Sequence, residues 1–314
     1  MIAVILRRVL AAIPVLVVVA VFVFALLRLA GGDPAAVIAG DMATPEQLAA
    51  IRAKLGLDQS LPTQFVSWAR EILAGDFGTS LISGTPVTRL IGQRLEPTLS
   101  LALVAITITV LVAVPLGVVA AWRHGGLLDR VVSAATVLGF SVPVFVVGYI
   151  LIELFAKQLQ LLPVQGFRPL SAGLDTFLRY IILPALTLSS IYVALIARMT
   201  RASMLDVLGE DFVRTAHAKG LPERLVLFRH ALRNAAVPIL TVIGTGFALM
   251  ITGVVITESV FNIPGLGRLT VDAILARDYP VIQALILLTS AVYVLINLLI
   301  DLSYAALDAR IRHG

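Results

Sequence analysis

Residues 211–238 read DFVRTAHAKGLPERLVLFRHALRNAAVP, the most basic stretch of an otherwise lipid-like chain, and they lie between two long apolar runs. Arg214, Lys219, Arg224, Arg229 and Arg233 outnumber Asp211 and Glu223. Lys and Arg concentrate in the cytoplasmic loops of membrane proteins, so this segment is expected on the inside. Locally it reads as two short helices with a break. Asp211 to Lys219 are good helix formers and Gly220 suits the left-handed residue that ends a helix. Leu221-Pro222-Glu223 then opens a second helix with a fixed φ and an acid in its first turn. Such a pair is either a rigid knob that docks into a partner or a solvated loop held near anionic headgroups by its cations.

The composition around this stretch demands a solvent other than water. Of 314 residues, 59% are hydrophobic and 14% charged, with a mean hydropathy of +0.99; soluble domains are about 45 to 50% apolar and about 25% charged. Long uncharged runs imply membrane helices, because a barrel would alternate polar and apolar residues over segments of roughly ten. Cysteine is absent, which excludes disulfides, thiol nucleophiles and thiolate metal sites. The net charge of +5 is spread along loops without an aromatic-interleaved patch, so nucleic acid is not an expected partner.

Six spans are predicted, with both termini inside and a long external loop after the first. Val9 to Leu27 follows Arg7-Arg8 and is longer than the apolar core of a signal peptide, about 7 to 15 residues, so it reads as a retained first span. Ala30 to Glu96 is polar, and Pro45 to Leu57 and Leu61 to Leu73 read as short amphipathic helices. Thr98 to Trp122, Val131 to Ile152, Tyr180 to Ala197, Ala235 to Thr257 and Pro280 to Ile300 are the remaining spans. Pro115 and Pro143 mark either bends beside a pathway or packing adjustments. The domain reading is 1–30 for the first helix, 31–97 for the external segment, and 98–314 for a five-helix core with its cytoplasmic loop at about 198–234. Thr241, Thr245 and Thr252 fall within a narrow arc of the fifth span, with Gly244, Gly246 and Gly253 close by. That face serves close helix packing or lines a substrate pathway. Asp301, at the end of the sixth span, is a candidate by type or simply a hydrated interfacial acid.

No Gly-rich loop ending in Gly-Lys-Ser/Thr is present, so the chain cannot cradle nucleotide phosphates. His124, His217, His230 and His313 are scattered, no His-Glu-x-x-His pattern occurs, and no serine sits in a nucleophile elbow. The chain is therefore not expected to be an enzyme, to bind a cofactor or to hold a metal.

Several motifs carry a resemblance. Arg214-Thr215-Ala216, three residues and Gly220, followed by His230-Ala231-Leu232-Arg233-Asn234, resembles the loop shared by permease subunits of ATP-binding cassette importers, in the dipeptide, oligopeptide and nickel branch. Gly32-Asp33-Pro34, Leu55-Gly56-Leu57-Asp58, Gly75-Asp76-Phe77-Gly78-Thr79-Ser80 and Pro86-Val87 fall in the order expected of the first permease chain of that branch. The segment from Glu258 to Gly267, Arg277-Asp278-Tyr279-Pro280 and the ending from Asp308 to Arg312 extend the likeness. Two departures stand out: Arg214 replaces the Glu of the loop motif, and Ala309 stands where proline is common. The resemblance implies that Arg214, Thr215, Ala216, Lys219, Gly220, Leu221, Pro222 and Glu223 form a coupling segment seated in a cytoplasmic ATPase. It also implies a second homologous permease chain, two ATPase subunits that bind ATP and Mg, an external solute-binding protein and a place in the bacterial inner membrane. Solute is expected to be a di- or oligopeptide, a glutathione-like peptide or a nickel chelate, moved by alternating access. A secondary transporter or channel working without ATPase partners is the alternative.

Overall fold

The computed structural model describes residues 2–29, 35, 44–54 and 56–307. The Gly32-Asp33-Pro34 turn, Leu55 and the ending from Asp308 to Arg312 lie outside them. Helices make up the architecture, and an isolated bridge between Thr79 and Pro86 is the sole strand-like pairing among the described residues. In order they are α1 (Ile2–Leu29), α2 (Pro45–Lys54), α3 (Leu61–Leu73), α4 (Val87–Trp122), α5 (Leu127–Ser141) and α6 (Val144–Leu151). After them come α7 (Leu174–Leu208), α8 (Asp211–Ala218), α9 (Glu223–Leu225), α10 (Leu232–Val260), α11 (Leu266–Ala276) and α12 (Tyr279–Leu307). Wider π turns continue α6 over Ile152–Gln158 and join α9 to α10 over Val226–Ala231.

Uninterrupted helix is what an apolar solvent requires, since each backbone N–H and C=O must be satisfied within its own segment. Among the described residues four rods are long and apolar enough to cross a membrane: α4, α7, Glu223–Val260 and Tyr279–Ser303. The α5–α6 pair makes a fifth if its two bent halves count as one span, and α1 contains a shorter apolar stretch, Leu10–Ala25. The two short amphipathic helices expected in the polar segment are α2 and α3. Prolines 97, 115, 184 and 238 are absorbed inside continuous helices. Pro143 is not. It has no N–H to give and it disfavours helical backbone at the residue before it; Val142 accordingly sits at φ −92 and ψ 121, and α5 and α6 meet at 102°. The span expected to run from Val131 to Ile152 is thus two pieces.

The chain forms two compact units. The first comprises, among the described residues, 97–264 and 296–307. Its largest core gathers Leu101 and Ala105 of α4, Ile181, Leu183 and Leu188 of α7, Met250 and Val254 of α10, and Phe261 and Ile263 beyond it. Small residues let these helices approach. A Cβ at Gly117 would lie 2.6 Å from Thr200 Cβ, and one at Gly244 would lie 2.2 Å from Ile300 Cγ1.

The second unit comprises residues 2–96 and 265–295. Phe24 of α1 packs edge-on to Phe65 of α3 and beside Trp68. Val87, Leu269, Ala273, Tyr279, Ile282 and Leu285 form its apolar core. A buried carboxylate lies next to that core. Asp278 accepts from the Ser80 hydroxyl at Oδ2 and from the Leu81 N–H at Oδ1, 3.1 Å away. Two motifs far apart in sequence, 75–80 and 277–280, are thereby one structure.

Candidate functional site

The basic stretch folds as a knob with its own small core. Val213 and Ala216 of α8 and Val226 are buried together, with Leu208 and Leu221 packed against them. One face of a helix is enough to bury two residues three apart, so the other side of α8 is left to solvent. Gly220 terminates α8 at φ +72. The Gly220 N–H donates to the carbonyl of His217 at 2.9 Å and the Leu221 N–H to that of Ala216 at 3.3 Å. This is a Schellman close, with its usual apolar contact between the residue after the glycine and the last turn. Pro222 then caps α9 in extended conformation, and His217 Nε2 lies 3.1 Å from Glu223 Oε2 across the break. The expected break at Gly220 and restart at Pro222 are both present, but the second helix is not short: through the π turns it runs on as one rod to Val260.

The eight residues singled out from the sequence divide by exposure. Arg214, Thr215, Lys219, Gly220, Pro222 and Glu223 are exposed, whereas Ala216 is buried and Leu221 is half-buried. Ala216 and Leu221 belong to the small core that holds the knob together. Arg214 reaches Asp211 at 3.3 Å, with both groups well solvated. Sequence reasoning passed over Phe212, which is 39% exposed on α8, and Phe228, which is 55% exposed just beyond α9. An aromatic ring on an otherwise polar projection is the signal that could have found them, because exposed aromatics are favoured anchors in protein contacts.

The base of the knob is tied to the bundle by a cluster that the sequence did not reveal. Asp129, in the first turn of α5, is 4% exposed. The Arg201 guanidinium on α7 brackets it, with Nε at Oδ1 and Nη2 donating to Oδ2 at 2.8 Å. The Gly125 N–H donates to Oδ2 at 2.9 Å, and His124 Nδ1 stands 3.2 Å from the same oxygen. A bidentate Arg–carboxylate pair fixes direction as well as distance. It anchors the end of α7 that runs on into α8. Arg123-His124 reads in sequence as a basic helix end, and nothing local marks Asp129 as the partner of a residue 72 positions away.

All three threonines of α10 donate within their own helix, Thr241 Oγ1 to the carbonyl of Val237, Thr245 Oγ1 to that of Thr241 and Thr252 Oγ1 to that of Leu249. Thr252 is exposed to a cavity of about 380 Å³, lined also by Phe140, Ile191, Tyr192, Leu195, Leu249 and Gly253. Among the described residues no group of three or more His, Cys, Asp or Glu is placed to hold a metal.

A bundle of apolar rods with a stiff basic projection has counterparts among solved folds. The chain resembles a subunit of the MetNI methionine ABC transporter in its inward facing conformations, with a TM-score of 0.60 over 70% of this chain and 97% of that one, at 16% identity. An amino acid ABC transporter crystallised with histidines matches at a TM-score of 0.52, covering 70% of this chain and 94% of that one at 19% identity. These likenesses concern the fold. The chain belongs to the binding-protein-dependent transport system inner membrane component family, whose model matches residues 113–313, and the companion amino-terminal model matches residues 1–102. It is similar to a probable peptide ABC transporter permease of Sinorhizobium fredii, 56% identical over 98% of this chain and 99% of that protein. It is also similar to the glutathione transport system permease GsiC of Pectobacterium atrosepticum, 45% identical over 98% of each chain.

Proposed function

We propose that this chain is one of two permease subunits in an ATP-driven, binding-protein-dependent importer of short peptides, of the di- or oligopeptide or glutathione kind. The observation that carries the reading is the self-braced knob, with its Schellman close at Gly220 and its Asp129–Arg201 root, in a chain of this family. Six spans with both termini in the cytoplasm place the knob inside the cell and residues 31–97 outside it. Two ATPase subunits, binding ATP and Mg, are the source of work, and a second permease chain and an external solute-binding protein complete the assembly. The exposed residues of the knob, Arg214, Thr215, Lys219, Gly220, Pro222 and Glu223 together with Phe212, form the seat for an ATPase. Closure of the ATPase pair moves the knob, and the bundle alternates between outward and inward access. The bundle needs two arrangements only a few kcal/mol apart for differential contact with the ATPase states to select between them.

The test is solute uptake by the assembled complex. Gly220→Pro and Gly220→Val should abolish uptake while leaving the protein in the membrane, because neither residue adopts φ +72 without distorting the break. Normal uptake by both variants would count against docking through the knob. Uphill accumulation by the purified chain alone in liposomes would instead establish a transporter that needs no ATPase.

A further inference from the structure

The cavity beside Phe140 has features that packing alone does not account for. It lies where the third span breaks, Phe140 being the penultimate residue of α5 before Pro143 redirects the chain. Irregular backbone at membrane depth is tolerated where it is buried in protein or lines a polar cavity. Tyr192 of α7 lines the same cavity, its ring against Gly246 and its hydroxyl against Gly253. Cβ atoms added at those glycines would stand 3.6 Å from Tyr192 Cδ1 and 3.5 Å from the phenol oxygen. The phenol makes no hydrogen bond to any described residue. A phenol in an apolar setting ordinarily finds a partner.

A second group faces the same way. Ile191, Leu195 and Arg198 are spaced by four and three residues and so share one face of α7. The Arg198 guanidinium lies 5.1 Å from the centroid of the Phe140 ring, and no carboxylate pairs with it among the described residues. From Tyr192 to Arg198 the helix rises about 9 Å. An extended peptide of about three residues spans the same distance.

We propose that this cavity is a transit subsite for a short peptide with a free carboxylate. Tyr192 donates its phenol proton to a main-chain carbonyl of the solute, and Arg198, held over Phe140, receives the carboxylate. Thr252 and Gly253 form the wall that leaves room for the peptide. The assignment rests on the peptide-importer reading and adds to it the residues that meet the solute.

The experiment uses the complete complex with its binding protein in proteoliposomes and three labelled probes: a dipeptide, glutathione and a pentapeptide. With whichever probe the wild type accumulates, Tyr192→Phe should lower uptake roughly five- to tenfold, the effect of one lost hydrogen bond. Arg198→Gln should lower it at least as much, with both variants still co-purifying with their ATPase subunits. In parallel, p-benzoylphenylalanine in place of Thr252 should crosslink to the labelled peptide during turnover. Crosslinks only to phospholipid or to the second permease chain, or unchanged uptake by both variants, would overturn the subsite while leaving the importer intact. Failure of the wild type to accumulate any of the three probes would overturn the peptide reading, and the subsite with it.

Discussion

The basic knob and the latch around Asp278 are both turns between helices, and they are held by opposite means. The knob is closed by neighbours. Its Schellman bonds, the His217–Glu223 pair and the small core of Val213, Ala216 and Val226 all lie within residues 211–226. The latch is closed at a distance, Ser80 reaching an acid 198 positions away whose side chain is buried. Two buried valines contribute only a few kcal/mol, about 1.5 to 3 each. Beyond its own bracing, the knob is rooted by the Asp129–Arg201 pair and by Leu227 and Ala231, which are buried with Val118, Ala121 and Met204. A piece that is braced within itself and rooted at its base moves with the helices it is rooted in, which suits a part that passes on a push. The latch, with a buried carboxylate satisfied by two donors, suits a part that must stay put.

The sharpest way to break this comparison is to remove the carboxylate. Asp278→Ala leaves the Ser80 hydroxyl and the Leu81 N–H without their acceptor, and each orphaned buried group costs about 1 to 3 kcal/mol. Thermal unfolding of the purified protein in nanodiscs should show a loss of about 3 kcal/mol. Ser80→Ala leaves the carboxylate one donor and also takes the acceptor from the Ile82 and Ser83 N–H groups, and should cost about 1 to 3 kcal/mol. If the two variants are equally mild, the buried acid is not what fixes the segments together.

A smaller effect is expected at Gly220. No atom lies within 4 Å of a Cβ added there, so the penalty for Gly220→Ala is the left-handed backbone alone, about 1 to 2 kcal/mol. Gly220→Asn should cost less, because Asn visits that region more readily. Limited proteolysis of the knob, read against global unfolding, measures the effect: cleavage at the knob should rise while global stability holds. A fall in global stability would mean that the knob and the bundle unfold as one, and the contrast with the latch would be lost.

How far the sequence could be read follows the same division. The break at Gly220 was legible because a C-terminal glycine, a following proline and an acid in the next turn act within a few residues. The helical runs of the spans were legible because hydrophobicity sums along a segment. The pairing of Asp278 with Ser80 and of Asp129 with Arg201 was not, since each partner satisfies an ordinary local reading: Ser80 a turn residue, Arg201 a cation at a helix end. Pro143 shows the middle case. Its position marked a perturbation, but Pro115, Pro184 and Pro238 are of the same type and leave their helices continuous. Pro143 follows a residue in extended conformation and heads its own helix, so it breaks the span where the others are accommodated. Ala216 was placed in the site by its motif, yet its burial assigns it to the knob's interior.

The smallest effect concerns the His217–Glu223 contact across the knob's break. His217 and Glu223 are 44% and 43% exposed, and pairs so solvated contribute about 0 to 1 kcal/mol because water and salt screen them. Glu223→Gln keeps the size and polarity of the side chain while removing its charge, and it should change unfolding stability by less than about 0.5 kcal/mol. Uptake by the assembled complex should fall modestly and become insensitive to added salt at this position, since the pair steadies the angle between α8 and α9 without holding either helix in place. The measurement is uptake at low and high ionic strength for wild type and variant. A large loss of unfolding stability in the variant would show that the knob is braced chiefly by charge. Its stiffness would then depend on the ionic medium, and the argument from the Schellman close and the Val213–Ala216–Val226 core would fail.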